Sequence, residues 1–105
     1  MAHVDPMVLR LQEAMQDSAP TLVEFYADWC PHCQAMMPVV AELRAKMGDR
    51  AHVIQIEGEE HEDLMREFHV DSYPTWIVFK DGQEAWRDGG EKPLSELEDM
   101  VRRFI

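Results

Sequence analysis

Two cysteines separated by two residues, Cys30 and Cys33, constrain this chain more than any other feature, because they are its only cysteines. The run before them, Thr21-Leu22-Val23-Glu24-Phe25-Tyr26-Ala27, is rich in β-branched and aromatic residues and reads as a buried strand. The run after them, Gln34 to Met47, carries Met36, Val40, Leu43 and Met47 on one helical stripe. Trp29-Cys30-Pro31-His32-Cys33 therefore sits at a strand-to-helix turn, with Cys30 at a helix N-terminus. Unsatisfied N–H groups and the positive end of the helix dipole favour an anion there, which makes Cys30 the candidate thiolate nucleophile. A cross-link this short constrains the unfolded chain very little, so the spacing suits reversible thiol chemistry better than a structural staple.

Composition narrows the class. At 105 residues the chain is the size of one domain, and 46% apolar with 30% charged residues describes a globular protein. The longest apolar run, Trp76 to Phe79, is far short of the ~20 residues of a membrane-spanning helix. A net charge of −11 argues against nucleic acid and anionic membranes as partners. The opening Met1-Ala2-His3-Val4-Asp5-Pro6 has neither a basic nor an apolar leader region. A cytoplasmic protein is the expectation, or a periplasmic one if a signal peptide was removed.

Along the chain, Asp5-Pro6 starts a helix to about Gln16, and Asp17-Ser18-Ala19-Pro20 breaks it. Pro38 lies inside the helix that follows the cysteines and predicts a kink near Gln34 to Met37. Ala51 to Ile56 reads as a strand, Glu60 to Phe68 as a short helix, Thr75 to Lys80 as a third strand, and Asp81-Gly82 as a hairpin turn into Gln83 to Arg87. A closing amphipathic helix runs from about Pro93 to Phe104. Strands separated by helices imply parallel pairing, and the hairpin adds antiparallel strands, giving an α/β mixed sheet with helices on both faces.

Taken together, these elements resemble the thioredoxin family over essentially the whole chain. Val23 to Cys33 is similar to the family's strand leading into its redox motif, Pro38 to the proline in its active-site helix, and Tyr73-Pro74-Thr75 to its cis-proline turn. Gly89-Gly90 falls where the family has a glycine loop near the active site. The resemblance implies a thioredoxin fold in a single domain, residues 1–105. It implies protein thiol–disulfide exchange with Cys30, exposed, as nucleophile and Cys33 as resolving thiol, and no cofactor beyond that pair. Disulfide-containing proteins would be the substrates, a thioredoxin reductase-type protein the electron donor, and the chain a monomer. The substrate groove would be lined by Trp29, Tyr73, Pro74 and Gly90.

Departures from the family pattern sharpen the reading. Pro31-His32 stands where Gly-Pro is usual, as in oxidising members of the superfamily and in the atypical thioredoxins of anaerobic sulfate-reducing bacteria. An imidazole at His32 would stabilise the Cys30 thiolate and raise the reduction potential. Glu24 replaces the family's buried Asp; a carboxyl in an apolar strand would keep its proton and shuttle it to and from Cys33. The lysine that often accompanies that acid corresponds to Val53. Three alternatives stay open at this point: the same site running as an oxidase or isomerase, a zinc or iron–sulfur module using Cys30 and Cys33, and a binding module with incidental redox activity. His61 among Glu59, Glu60, Glu62 and Asp63 reads as a solvated acidic turn.

Overall fold

The computed structural model describes residues 5–105; residues 1–4, the start of the stretch read for a leader, lie outside that range. The elements in order are α1 (Pro6–Gln16), β1 (Thr21–Tyr26), α2 (Pro31–Met47), β2 (His52–Glu57), a 3₁₀ turn (Gly58–Glu60), α3 (Glu62–Glu67), β3 (Thr75–Lys80), β4 (Gln83–Gly89) and α4 (Leu94–Arg102). Asp5 caps α1 as its side chain accepts from Met7 N at 2.9 Å, with Pro6 in the first turn. Pro38 lies within α2 without ending it.

The sheet order is β2-β1-β3-β4. β1 and β2 pair in parallel, while β3 runs antiparallel to both β1 and β4. A helix between β2 and β3 therefore did not produce a second parallel pair. α3 has six residues and spans about 9 Å, too short to return the chain along a strand of about 20 Å, so β3 enters the sheet at the end where β2 left it. Asp81 (φ 54) and Gly82 (φ 76) supply the two left-handed residues of the tight β3–β4 turn.

Strand alternation assigns the two faces. Leu22, Val53, Trp76 and Val78 pack against Met36, Val40, Leu43 and Met47 of α2 and Leu97 and Val101 of α4. Val23, Phe25, Ile54, Ile56, Ile77 and Phe79 pack against Leu11 and Ala14 of α1 and Leu64 of α3. Glu24 has the parity of Leu22, so it lies on the α2 face of the central strand, which is the face on which the cysteine-bearing helix begins.

Candidate active site

Strand β1 ends at Tyr26 and the chain turns through Asp28-Trp29 into α2. That turn is fixed by Cys30 N donating to Ala27 O (3.1 Å) and Gln34 Nε2 donating to Asp28 O (2.9 Å). Cys30 is the N-cap of α2: its Sγ accepts from Cys33 N at 3.3 Å, and Pro31 occupies the first helical position. Both cysteines are free thiols. A sulfur in this place receives a backbone N–H and the helix dipole together, the arrangement that stabilises a thiolate.

The expected exposure of Cys30 is not found: the residue is 4% exposed and Cys33 wholly buried. Capping its own helix turns the Cys30 sulfur inward, Tyr26 and Tyr73 pack against the pair, and Tyr73 O lies 3.9 Å from Cys30 Sγ. The Cys33 thiol is pushed up to about 12, first by burial, then by its hydrogen bond with Cys30, with the Glu24 charge adding in the same direction.

Glu24 is 1% exposed on a central strand of the sheet, so its carboxyl is shut off from solvent. Burial pushes its carboxyl up to about 7, against the opposing effects of a hydrogen bond from Gln55 and the charge of Arg44. Gln55 Nε2 donates to Oε1 at 2.9 Å, while Oε2 is buried with no partner among the described residues. The residue beside Glu24 is thus Gln55, its direct partner in the β1–β2 register, whereas Val53 faces Leu22. Assigning the family's lysine position to Val53 is corrected accordingly. Arg44 extends the chain of contacts, donating to Gln55 Oε1 (3.3 Å) and Val53 O (3.1 Å).

His32 is exposed, and the polar partner of its Nδ1 is Glu91 Oε2 at 2.5 Å, in the loop before α4. The Tyr73–Pro74 bond is cis. Gly90, at φ 86, donates its N–H to Pro74 O (3.0 Å) and accepts from Trp76 Nε1 at its own O (2.8 Å), so the glycine loop abuts the proline turn. Trp29 is 64% exposed and meets Tyr73 edge-on at 5.9 Å. Glu59 joins the two rings, accepting from Trp29 Nε1 (3.2 Å) and the Tyr73 hydroxyl (3.1 Å). Burial, then the hydrogen bond to Glu59, raises the Tyr73 phenol to about 12.

Gln55, Arg44, Glu59 and Glu91 were not singled out from the sequence. Gln55 had a signal, a polar residue inside an apolar strand like Glu24; the contacts of Glu59 and Glu91 cross 30 and 59 residues and had none. His61 is not a purely solvated residue: its side chain is 16% exposed and its Nδ1 lies 2.5 Å from Asp5 Oδ2. Asp5 and His61, both half-buried, and the exposed Asp63 could together offer three ligand atoms within 4.8 Å of one another.

A mixed sheet flanked by helices, with a dithiol at the first turn of a helix, defines the thioredoxin-fold class. Within it the chain belongs to the thioredoxin family, whose model, described as Thioredoxin, matches residues 9–103. It is 37% identical to the chloroplastic thioredoxin Y of Oryza sativa over 82% of this chain and 51% of that protein. It is 33% identical to the thioredoxin of Bacillus subtilis over 80% of this chain and 81% of that one. A solved thioredoxin from Halobacterium salinarum superposes with a TM-score of 0.83 at 30% identity, covering 91% of this chain and 83% of that one. The chain spans about half the length of the chloroplastic relatives. No helix among the described residues is long and apolar enough to cross a membrane.

Proposed function

We propose that this chain is a protein disulfide oxidoreductase that exchanges the Cys30/Cys33 dithiol with disulfides in other proteins. The observation that carries the reading is the Cys30 sulfur capping α2 against the Cys33 amide. The Cys30 thiolate attacks one sulfur of a substrate disulfide, forming a mixed disulfide and releasing the first substrate thiolate. Cys33, whose thiol is held at about 12, must lose its proton before it can attack. Glu24, poised near 7, is the base that takes it. Cys33 then attacks Cys30 Sγ, releasing the second substrate thiol and leaving a Cys30–Cys33 disulfide. Two electrons pass to the substrate, and a thioredoxin reductase-type donor would restore the dithiol. Trp29, Tyr73, Pro74 and Gly90 would border the substrate groove, and no cofactor beyond the cysteine pair is needed.

Cys33→Ser should accumulate a mixed disulfide visible by mass spectrometry, and Cys30→Ser should not reduce insulin with dithiothreitol as electron source. A Cys33→Ser variant that turns over like the wild type would overturn the mechanism. The second reading, an oxidant or isomerase, is favoured by Pro31-His32, the dipeptide of the oxidising members of the superfamily. A potential near about −270 mV favours the reductant, and one at or above about −180 mV the oxidant.

A further inference from the structure

We infer that Trp29, Tyr73 and Glu59 form a subsite for a lysine or arginine side chain beside the cysteine of the substrate disulfide. This rests on the exchange reading of the same site and names the class of substrate it prefers. Trp29 precedes the nucleophile in sequence, and the backbone of Tyr73 lies against Cys30 Sγ, so a substrate sulfur at Cys30 brings its neighbouring residues to these two rings. Their ring centroids are 5.9 Å apart at 80°, leaving an aromatic corner in which Trp29 is largely exposed. Glu59 closes the corner with one carboxylate oxygen on each ring's polar atom.

Three features make that corner cation-binding. Indole N–H and phenol O–H are neutral donors that bring no cation to Glu59, and two of roughly four acceptor positions on its carboxylate remain open. No lysine or arginine pairs with Glu59 among the described residues, and Lys92, in the loop before α4, is taken up by Asp88 and Glu96. An aromatic face next to a carboxylate is also the combination that holds an ammonium or guanidinium best, through cation–π attraction and a charge-assisted hydrogen bond. On the other side of the motif Glu91 already has His32 as partner, whereas Glu59 has no cationic partner among the described residues.

The corner is held rigid by the turn that carries it. Glu57 Oε2 accepts from Asp28 N at 3.0 Å, tying the turn to the cysteine loop, while its Oε1 accepts from Glu59 N (2.5 Å) and Glu60 N (3.2 Å). Glu59 is thereby presented without reorganisation when a substrate arrives.

The test uses three short disulfide peptides identical except for Lys, Ala or Glu next to the reacting cysteine, mixed with the dithiol protein and followed by quenched mass spectrometry. The Lys peptide should react about tenfold faster than the Glu peptide at low salt, and the ratio should approach one near 1 M salt, where the Debye length is about 3 Å. Glu59→Gln should lower the low-salt ratio at least about threefold, and Glu59→Lys should invert it. Glu13→Gln, on α1, should leave it unchanged. Using a ratio removes any loss common to all three peptides. A wild-type ratio near one, or an equal fall in Glu59→Gln and Glu13→Gln, overturns the subsite. Failure of the Ala peptide to oxidise the dithiol at all would instead overturn the exchange reading.

Discussion

Glu24→Gln tests the buried carboxyl through the pH dependence of stability. Glu24 sits 1% exposed on the central strand, with Gln55 its one hydrogen-bond partner and Oε2 unpartnered among the described residues. The folded protein therefore holds this proton up to about 7, against an ordinary 4.5. Below about pH 4.5 both folded and unfolded chains carry the proton and ionisation costs nothing. Between there and about 7 the unfolded chain ionises first, so folded-state stability falls as pH rises. Above about 7 both are ionised and the loss is complete. At 1.36 kcal/mol per pH unit the loss is about 3 kcal/mol. The amide of Glu24→Gln does not titrate, so its stability relative to wild type should rise by about 3 kcal/mol from pH about 4 to about 8. Its extra N–H group lacks an acceptor and costs about 1–3 kcal/mol at every pH, which shifts the baseline without changing the slope. Urea unfolding of both proteins under reducing conditions across that range gives the difference directly, and all other titrating groups cancel in it. A difference constant within about 0.5 kcal/mol would refute a buried, proton-holding Glu24. The same variant should slow mixed-disulfide resolution, since Cys33 loses its base.

Gly58→Ala would bring a Cβ to 2.6 Å from Tyr73 Cε1 and 2.8 Å from Met65 Sδ, and Glu59 restrains the tyrosine from moving away. The expected cost is about 1–3 kcal/mol by urea denaturation together with altered Trp29 fluorescence; a loss under about 0.5 kcal/mol would show that the corner is loose. His32→Pro should lower the reduction potential and Glu91→Gln should raise it, because the latter removes the carboxylate 2.5 Å from His32 Nδ1 and with it a negative charge beside the motif. Each shift should be on the order of 30 mV, a tenfold change in equilibrium constant, measured against a glutathione buffer. An unchanged potential in His32→Pro would sink the proposed part of His32 in setting the motif's chemistry.

Element types were legible because each run carries one period. Apolar continuity marked β1, the Met36–Val40–Leu43–Met47 stripe marked α2, and Asp5-Pro6 and Asp81-Gly82 marked a helix start and a hairpin by local backbone chemistry. Boundaries moved by a residue or two: β2 begins at His52 rather than Ala51, and β4 runs on to Gly89. Strand direction was less legible, since the antiparallel entry of β3 depends on how little length α3 supplies. The split of the acidic turn into a 3₁₀ turn and α3 follows from the Glu57 side chain capping Glu59 and Glu60, a contact that periodicity does not report.

For the site, local sequence alone determined the cysteine pair, its place at a helix start and the presence of an acid in a buried strand, because each of these is a matter of neighbours along the chain. Only the tertiary structure decided what those groups touch. It turned Cys30 inward to cap its own helix, set Gln55 rather than Val53 beside Glu24, gave His32 to Glu91, and joined Trp29 to Tyr73 through Glu59. The last three of these, contacts between separate elements, are selected by strand register and loop closure across the sheet, and register is a property of the assembled sheet that no single stretch of sequence carries.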